Sequence, residues 1–281
     1  MRIILSPAKK MRVDTDTLPW EGLPVFLEDA EILKEYLTGL SPEEYRKLWN
    51  CSESIAELNY RRLREMDLRR NLTPALLAYE GIQYQYMAPA VLEDGSWEYV
   101  QEHVRILSGF YGILKPLDGI VPYRLEMQAP VRLPSVRPCS SLYAFWGSRL
   151  TDELVRGMEA GQPDEPQAHP QKEKGLTRAG GSEEEGWILN LASKEYSRCI
   201  LPYLPREVPC VTCLFGEEKD GKVKEKGTLV KMARGEMVRF LAERQAVSLE
   251  EIKKFDRLGY RYREDLSDEK TLAFVSKRAA R

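Results

Sequence analysis

The chain has 281 residues, 43% hydrophobic and 31% charged, with a formal net charge of −2 and a mean hydropathy of −0.45. That is enough apolar material for a large core under a charged surface, within the reach of one domain. It excludes a histone-like polycation, and no apolar run approaches the roughly 18–20 residues of a membrane span. Any nucleic-acid binding must therefore come from local clustering of Lys and Arg.

Ile3-Ile4-Leu5 before Ser6-Pro7 reads as a short buried strand stopped at a proline. Its three apolar residues fall short of the roughly 7–15 of a secretory signal, which points to the cytoplasm. Leu27, Ala30, Leu33, Leu37 and Leu40 recur at helical spacing across 24–40, with Gly39 as a stop. Ser41-Pro42-Glu43-Glu44 combines a capping Ser, Pro at the first helical position and Glu three residues after the cap, predicting a short helix to about Trp49. Asn50-Cys51-Ser52 leads into a second helix with Ile55, Leu58 and Leu63 expected inward, so the two form a helical hairpin.

Residues 76–87 read as a strand bending at Gly81. Asp94-Gly95-Ser96 reads as a turn before a helix from Trp97 to about Ile106. Residues 107–118, punctuated by Gly109, Gly112 and Pro116, read as strand and loop inside the core. Residues 157–186 hold six glycines, three prolines and seven acids against three bases, and read as a mobile acidic insertion in a single domain spanning 1–281. Residues 188–192 read as a buried strand, and 211–216 and 222–230 flank a hairpin turn at Lys219-Asp220-Gly221. Ala233, Met237, Phe240 and Leu241 mark one helical face, Ser248-Leu-Glu-Glu251 is a second capping box, and 272–275 could close a sheet. The expected class is α+β, a mixed twisted sheet with surrounding helices.

Five scattered cysteines, Cys51, Cys139, Cys199, Cys210 and Cys213, suit reduced thiols. With only His103 and His169, a histidine-rich metal site is largely excluded, and no metal or cofactor is assigned. Cys210 and Cys213 have redox spacing, but three positions apart on a strand they face opposite sides. There is no Walker loop and no GxSxG elbow, so no catalytic residue is assigned.

Basic residues form three clusters: Lys9, Lys10 and Arg12; Arg61, Arg62 and Arg64, continuing to Arg69 and Arg70; and Lys222, Lys224, Lys226, Lys231, Arg234 and Arg239. Converging on one groove, they would hold phosphates by Coulomb attraction and counterion release. At the hairpin turn, Asn50, Ser52 and Ser54 stand where a helix N-terminus would offer N–H donors to a phosphate. Arg105, Lys115, Asp118, Tyr123, Arg124 and Glu126 are polar groups set among glycines, prolines and apolar residues. They fit either an internal salt-bridge network or a cleft floor that grips phosphates.

Ser6-Pro7-Ala8-Lys9, Arg105-Ile-Leu-Ser-Gly-Phe-Tyr-Gly112, Lys115-Pro-Leu-Asp118, Pro122-Tyr-Arg-Leu-Glu-Met127, Phe145-Trp-Gly147, Asn190-Leu-Ala-Ser193 with Glu195-Tyr196, and Lys231 with Ala233-Arg-Gly235 occur in this order. With this set the chain resembles the YaaA family of peroxide-stress proteins, from Met1 to about Arg278 outside the insertion. The resemblance implies a cytosolic protein that protects against hydrogen peroxide by keeping free iron low. It also implies a family-specific fold with a positively charged cleft, and a helix-hairpin-helix element that falls on Ser41 to Arg64 here. The implied partner is double-stranded or branched DNA, recognised by shape rather than sequence. Candidate phosphate contacts are Lys9, Lys10, Asn50, Ser52, Ser54, Arg61, Arg62, Arg64, Arg105, Lys115, Arg124, Lys231, Arg234 and Arg239. The candidate polar cleft is Ser6, Asp118, Tyr123, Glu126, Asn190, Ser193 and Glu195. The alternatives are an enzyme acting on a nucleotide, nucleobase or other small anion in the 105–127 segment, and direct iron binding through Asp118, Glu126 and Glu195.

Overall fold

The computed structural model describes residues 1–133, 138–156, 158 and 186–276. Strand β1 (Arg2–Leu5) buries Ile3, Ile4 and Leu5 completely and stops before Pro7, which has no N–H for a ladder. After β2 (Lys10–Met11), helix α1 (Leu27–Thr38) buries Leu27, Ala30, Leu33 and Leu37, as its periodicity predicts, and ends at Gly39. Helix α2 (Pro42–Trp49) opens with the full capping box: Ser41 Oγ accepts the Glu44 N–H, and the Glu44 carboxylate accepts the Ser41 N–H at 2.8 Å. Asn50 turns the chain with φ 40°, and α3 (Glu53–Glu65) returns against α2, with the Tyr45 ring 4.7 Å from Trp49 and 5.2 Å from Tyr60. The inward face of α3 differs from expectation. It consists of Ala56, Asn59 and Leu63, whereas Ile55 and Leu58 are each 39% exposed. Polar Asn59 is tolerated there because its amide donates to the Ile55 carbonyl at 2.8 Å.

Residues 76–87 are not a bent strand. After β3 (Thr73–Pro74) they form α4 (Ala75–Ala78), β4 (Tyr79–Glu80) and α5 (Ile82–Met87). Ala75 to Ala78 are buried on every side, so no alternation distinguishes strand from helix, and in α5 Gln83, Tyr84 and Met87 share one buried face. The expected turn at 94–96 is the first turn of α6 (Asp94–His103). That helix ends early because Val104 to Ser108, all buried, enter the sheet as β5 (Val104–Ser108). Then come β6 (Gly112–Leu114), β7 (Gly119–Ile120), α7 (Leu142–Trp146), α8 (Arg149–Val155), β8 (Ile188–Asn190) and α9 (Lys194–Ser197). Strands β9 (Cys210–Lys219) and β10 (Lys222–Lys224) meet at Asp220 and Gly221, whose φ values of 55° and 70° suit a tight hairpin turn. The second strand is shorter than expected, since α10 (Gly227–Arg244) begins at once and buries Ala233, Met237, Phe240 and Leu241. Ser248 caps α11 (Leu249–Lys253) by accepting the Glu251 N–H. The last strands are β11 (Tyr260–Tyr262) and β12 (Thr271–Ser276).

The main sheet runs β11-β12-β9-β8-β1-β5-β6, with β10 on β9, and it is mixed, as the α+β reading requires. Its five inner strands are parallel, while β6 and β11 pair antiparallel at the two edges. The segment expected to close the sheet, β12, therefore lies one strand in from the edge. The insertion read at 157–186, with His169, falls outside the described residues except at Met158 and Gly186.

Candidate functional site

Strands β1 and β8 are parallel neighbours, so they end side by side, but the chain leaves them for opposite sides of the sheet, toward β5 and toward β9. In open sheets a crevice forms where strand connections diverge in this way. Ser6 and Ser193 meet there: the Ser193 N–H donates to Ser6 Oγ at 2.8 Å, and the Tyr84 hydroxyl donates to the Ser6 carbonyl at 3.0 Å. One wall is the segment Tyr123 to Glu126. It lies so close to Gly109 that a Cβ there would stand 2.5 Å from the Leu125 carbonyl. The Tyr123 hydroxyl ties that wall to Ser108 Oγ (2.6 Å) and to the Tyr79 hydroxyl (2.8 Å). The opposite wall is α10, which meets α5 at Gly235, where a Cβ would lie 2.0 Å from the Gln83 carbonyl. Between the walls is a 530 Å³ cavity.

Five cations, Lys9, Lys10, Arg124, Lys231 and Arg234, line this cavity against three carboxylates, Glu80, Glu126 and Glu195. Glu126, 8% exposed, lies 3.1 Å from Lys9 Nζ and 3.1 Å from Arg124 Nη2. Both contacts are close enough for ion pairs but are not aligned as hydrogen bonds. Neither Glu126 oxygen has a hydrogen-bond partner among the described residues, and the same holds for Arg124 Nε, Arg234 Nε and Gln83 Nε2. Lys10 pairs with Glu80 at 2.9 Å and Arg234 with Glu225 at 3.6 Å. Burial raises the Glu195 carboxyl above its ordinary range, opposed by the Gln128 N–H it accepts and by Lys9. Lys231 is exposed and has no ion-pair partner among the described residues.

Of the residues singled out from sequence, Ser6, Lys9, Lys10, Tyr123, Arg124, Glu126, Ser193, Glu195, Lys231 and Arg234 share this cavity. The segment 105–127 is not one cleft, since its earlier polar residues point elsewhere. Arg105 is buried and donates to the carbonyls of Gln101, Glu102 and Val104, closing the C-terminal end of α6. Asp118 accepts the Lys115 N–H at 2.8 Å, and burial pushes its carboxyl up to about 7. Asn190 braces the sheet, bonding Thr212 Oγ1 and the Ala192 N–H, and Arg239 pairs with Glu243 on its own helix. The hairpin lies beside the cavity rather than in it. Arg62 donates to the Met11 carbonyl at 3.4 Å, next to Lys10, while Arg61 and Arg64 are exposed. The hydroxyls of Ser52 and Ser54 bond each other at 3.2 Å near the exposed Asn50. Lys224 and Lys226 are matched by Asp220 and Glu217.

Sequence reasoning missed Gln83, Tyr84 and Tyr196 as cavity residues. A helical reading of 82–87 would have placed Gln83 and Tyr84 on one face with Met87. All five cysteines are free, and burial raises Cys210 to about 11 and Cys213 further. Among the described residues, no group of three His, Cys, Asp or Glu is placed to hold a metal, and no helix is long and apolar enough to cross a membrane.

Residues 1–266 match the family described as peroxide stress protein YaaA. A UPF0246 protein of Lachnoclostridium phytofermentans is 50% identical over 275 residues, covering 98% of this chain and 96% of its own. One from Desulfitobacterium hafniense is 50% identical over 98% of both chains, and one from Pediococcus pentosaceus is 44% identical over 98% of both. On the family match and these near full-length similarities, the chain belongs to the YaaA family of peroxide stress proteins.

Proposed function

We propose that this chain is a cytoplasmic DNA-binding protein of the peroxide-stress response. In this reading it holds the phosphate backbone of duplex or branched DNA by shape, and it contributes to the low free-iron state that the family resemblance implies. The supporting observation is the excess of cations at one cavity, with Lys231 lacking an ion-pair partner among the described residues and Arg62 of the hairpin bonded beside Lys10. Lys9 and Lys10 of one basic cluster and Lys231 and Arg234 of another thus share one site, and Arg62 of the remaining cluster adjoins it. Phosphate contacts of this kind position DNA without reading bases.

The test is fluorescence anisotropy with a duplex and a four-way junction across a salt series. Affinity is expected to fall steeply with salt, with a log–log slope of about −0.9 for each phosphate engaged. Lys9→Glu, Arg62→Glu and Lys231→Glu should each weaken binding roughly tenfold and flatten the slope by about one or more. Salt-insensitive affinity, or no binding, overturns the reading. A second reading, an enzyme acting on a free nucleotide, nucleobase or other small anion, draws support from the cavity's volume of 530 Å³, within the roughly 300–1,000 Å³ of small-molecule sites. A thermal-shift screen in which one such molecule stabilises the protein strongly would favour it.

A further inference from the structure

The two lysines that follow β1 stand exposed at the cavity, yet each is committed to a carboxylate of its lining. Lys10 Nζ lies 2.9 Å from Glu80, and Lys9 Nζ lies 3.1 Å from Oε1 of Glu126. Arg124 Nη2 approaches that same oxygen, also at 3.1 Å, so one carboxylate oxygen serves both an ammonium and a guanidinium. The two partners differ in how they are held. The side chain of Arg124 is 11% exposed and that of Lys9 64%, while both Glu126 oxygens are buried. An exposed lysine gives up an ion pair at little cost, because water solvates the freed ammonium, whereas a buried carboxylate must keep a counter-charge. Lys9 is therefore the partner that can leave, and Arg124 the one that stays.

An anionic oxygen of a phosphodiester draws the same cations as a carboxylate oxygen does. We infer that Glu126 is a built-in competitor for the ligand of this cavity: in the free protein it holds Lys9 in place of a backbone phosphate, and DNA binds by drawing Lys9 away from it while Arg124 remains. The inference rests on the DNA-binding reading and adds to it a residue that weakens binding. A single small anion at Lys9 only exchanges one anionic partner for another. A polyanion that takes Lys9 and also reaches Lys231, which has no ion-pair partner among the described residues, gains a contact that no carboxylate was holding. The Glu126 carboxylate thus favours a chain of phosphates over one.

The test is a double-mutant cycle on the full chain, read as affinity for a fluorescent duplex at one fixed salt concentration. Wild type, Glu126→Gln, Lys9→Ala and the double variant are compared, each checked for cooperative thermal melting. Glu126→Gln keeps the shape of the side chain and removes its charge, and it should tighten binding about three- to fivefold, as for an ion pair at the upper end of the exposed range. In the Lys9→Ala background the same substitution should change affinity by less than about 1.5-fold. Unchanged or weaker binding by Glu126→Gln overturns the inference and leaves the DNA reading standing. An equal gain in both backgrounds also overturns it, because the effect is then long-range charge and not the release of Lys9. If Glu126→Gln does not melt cooperatively, Glu126→Asp takes its place: it keeps a charge beside Arg124 but shortens the reach to Lys9, and it should likewise tighten binding only when Lys9 is present. No gain from that variant overturns the inference. Absence of binding by all of these proteins overturns both readings.

Discussion

The helical hairpin and the cleft floor both present arginines, in opposite states of solvation. In the hairpin Arg61 and Arg64 are exposed, Arg64 lies against the Tyr60 hydroxyl at 3.0 Å, and the turn serines bond each other. Water can complete such groups, so the hairpin can attract a polyanion but stores little binding energy locally. In the cleft floor Arg124 is side-chain buried beside Glu126, close but poorly aligned. Arg105 is equally hidden, and its Nη1 donates to three backbone carbonyls. Burial alone therefore does not separate the two arginines; what differs is that Arg124 Nε has no hydrogen-bond partner among the described residues while Arg105 Nη1 has three.

The sharpest way to break this comparison is to remove one arginine from each region. Arg124→Leu leaves the Glu126 carboxylate buried beside Lys9 alone and should cost about 3 kcal/mol in urea unfolding, whereas Arg61→Ala should change stability by less than about 0.5 kcal/mol. Similar small effects at both sites would dissolve the distinction.

Asp118 extends the comparison to a buried carboxyl outside the cavity. Its folded value of about 7 lies above the ordinary 3.8 because burial disfavours the charged form. The folded state thus binds the proton more tightly, and stability falls as pH rises from about 4 to about 7. Asp118→Asn should remove that loss, on the order of 4 kcal/mol, visible as a flatter melting temperature against pH. An identical pH profile in wild type and variant would show that the carboxyl stays ionised at its ordinary value.

The smallest effect concerns the hairpin's own start. Ser41→Ala removes the side-chain half of the capping box and should cost about 1 kcal/mol by chemical denaturation. Its DNA affinity should stay within about twofold, because the loss is local and carries no charge.

Wherever the governing interaction spans a turn or two, the amino-acid order was sufficient. The Ser41 cap, the buried stripes of α1 and α10, the Asp220-Gly221 turn and the aliphatic strands β1 and β8 were all readable from neighbours in the chain. Ordered motifs were likewise enough to recognise the family. Short buried stretches were not readable: 75–78 and 104–108 are buried throughout and show no period, and packing chose helix for one and strand for the other. The cavity belongs to tertiary structure alone. It exists because Ser6 and Ser193, 187 residues apart, meet at the ends of two parallel strands, and because Gly235 lets α10 close on α5. Parallel neighbours are joined only by long crossovers, so no local pattern announces which strand ends will lie together. Which arginines were spent on the backbone and which were left facing the cavity was decided by that meeting.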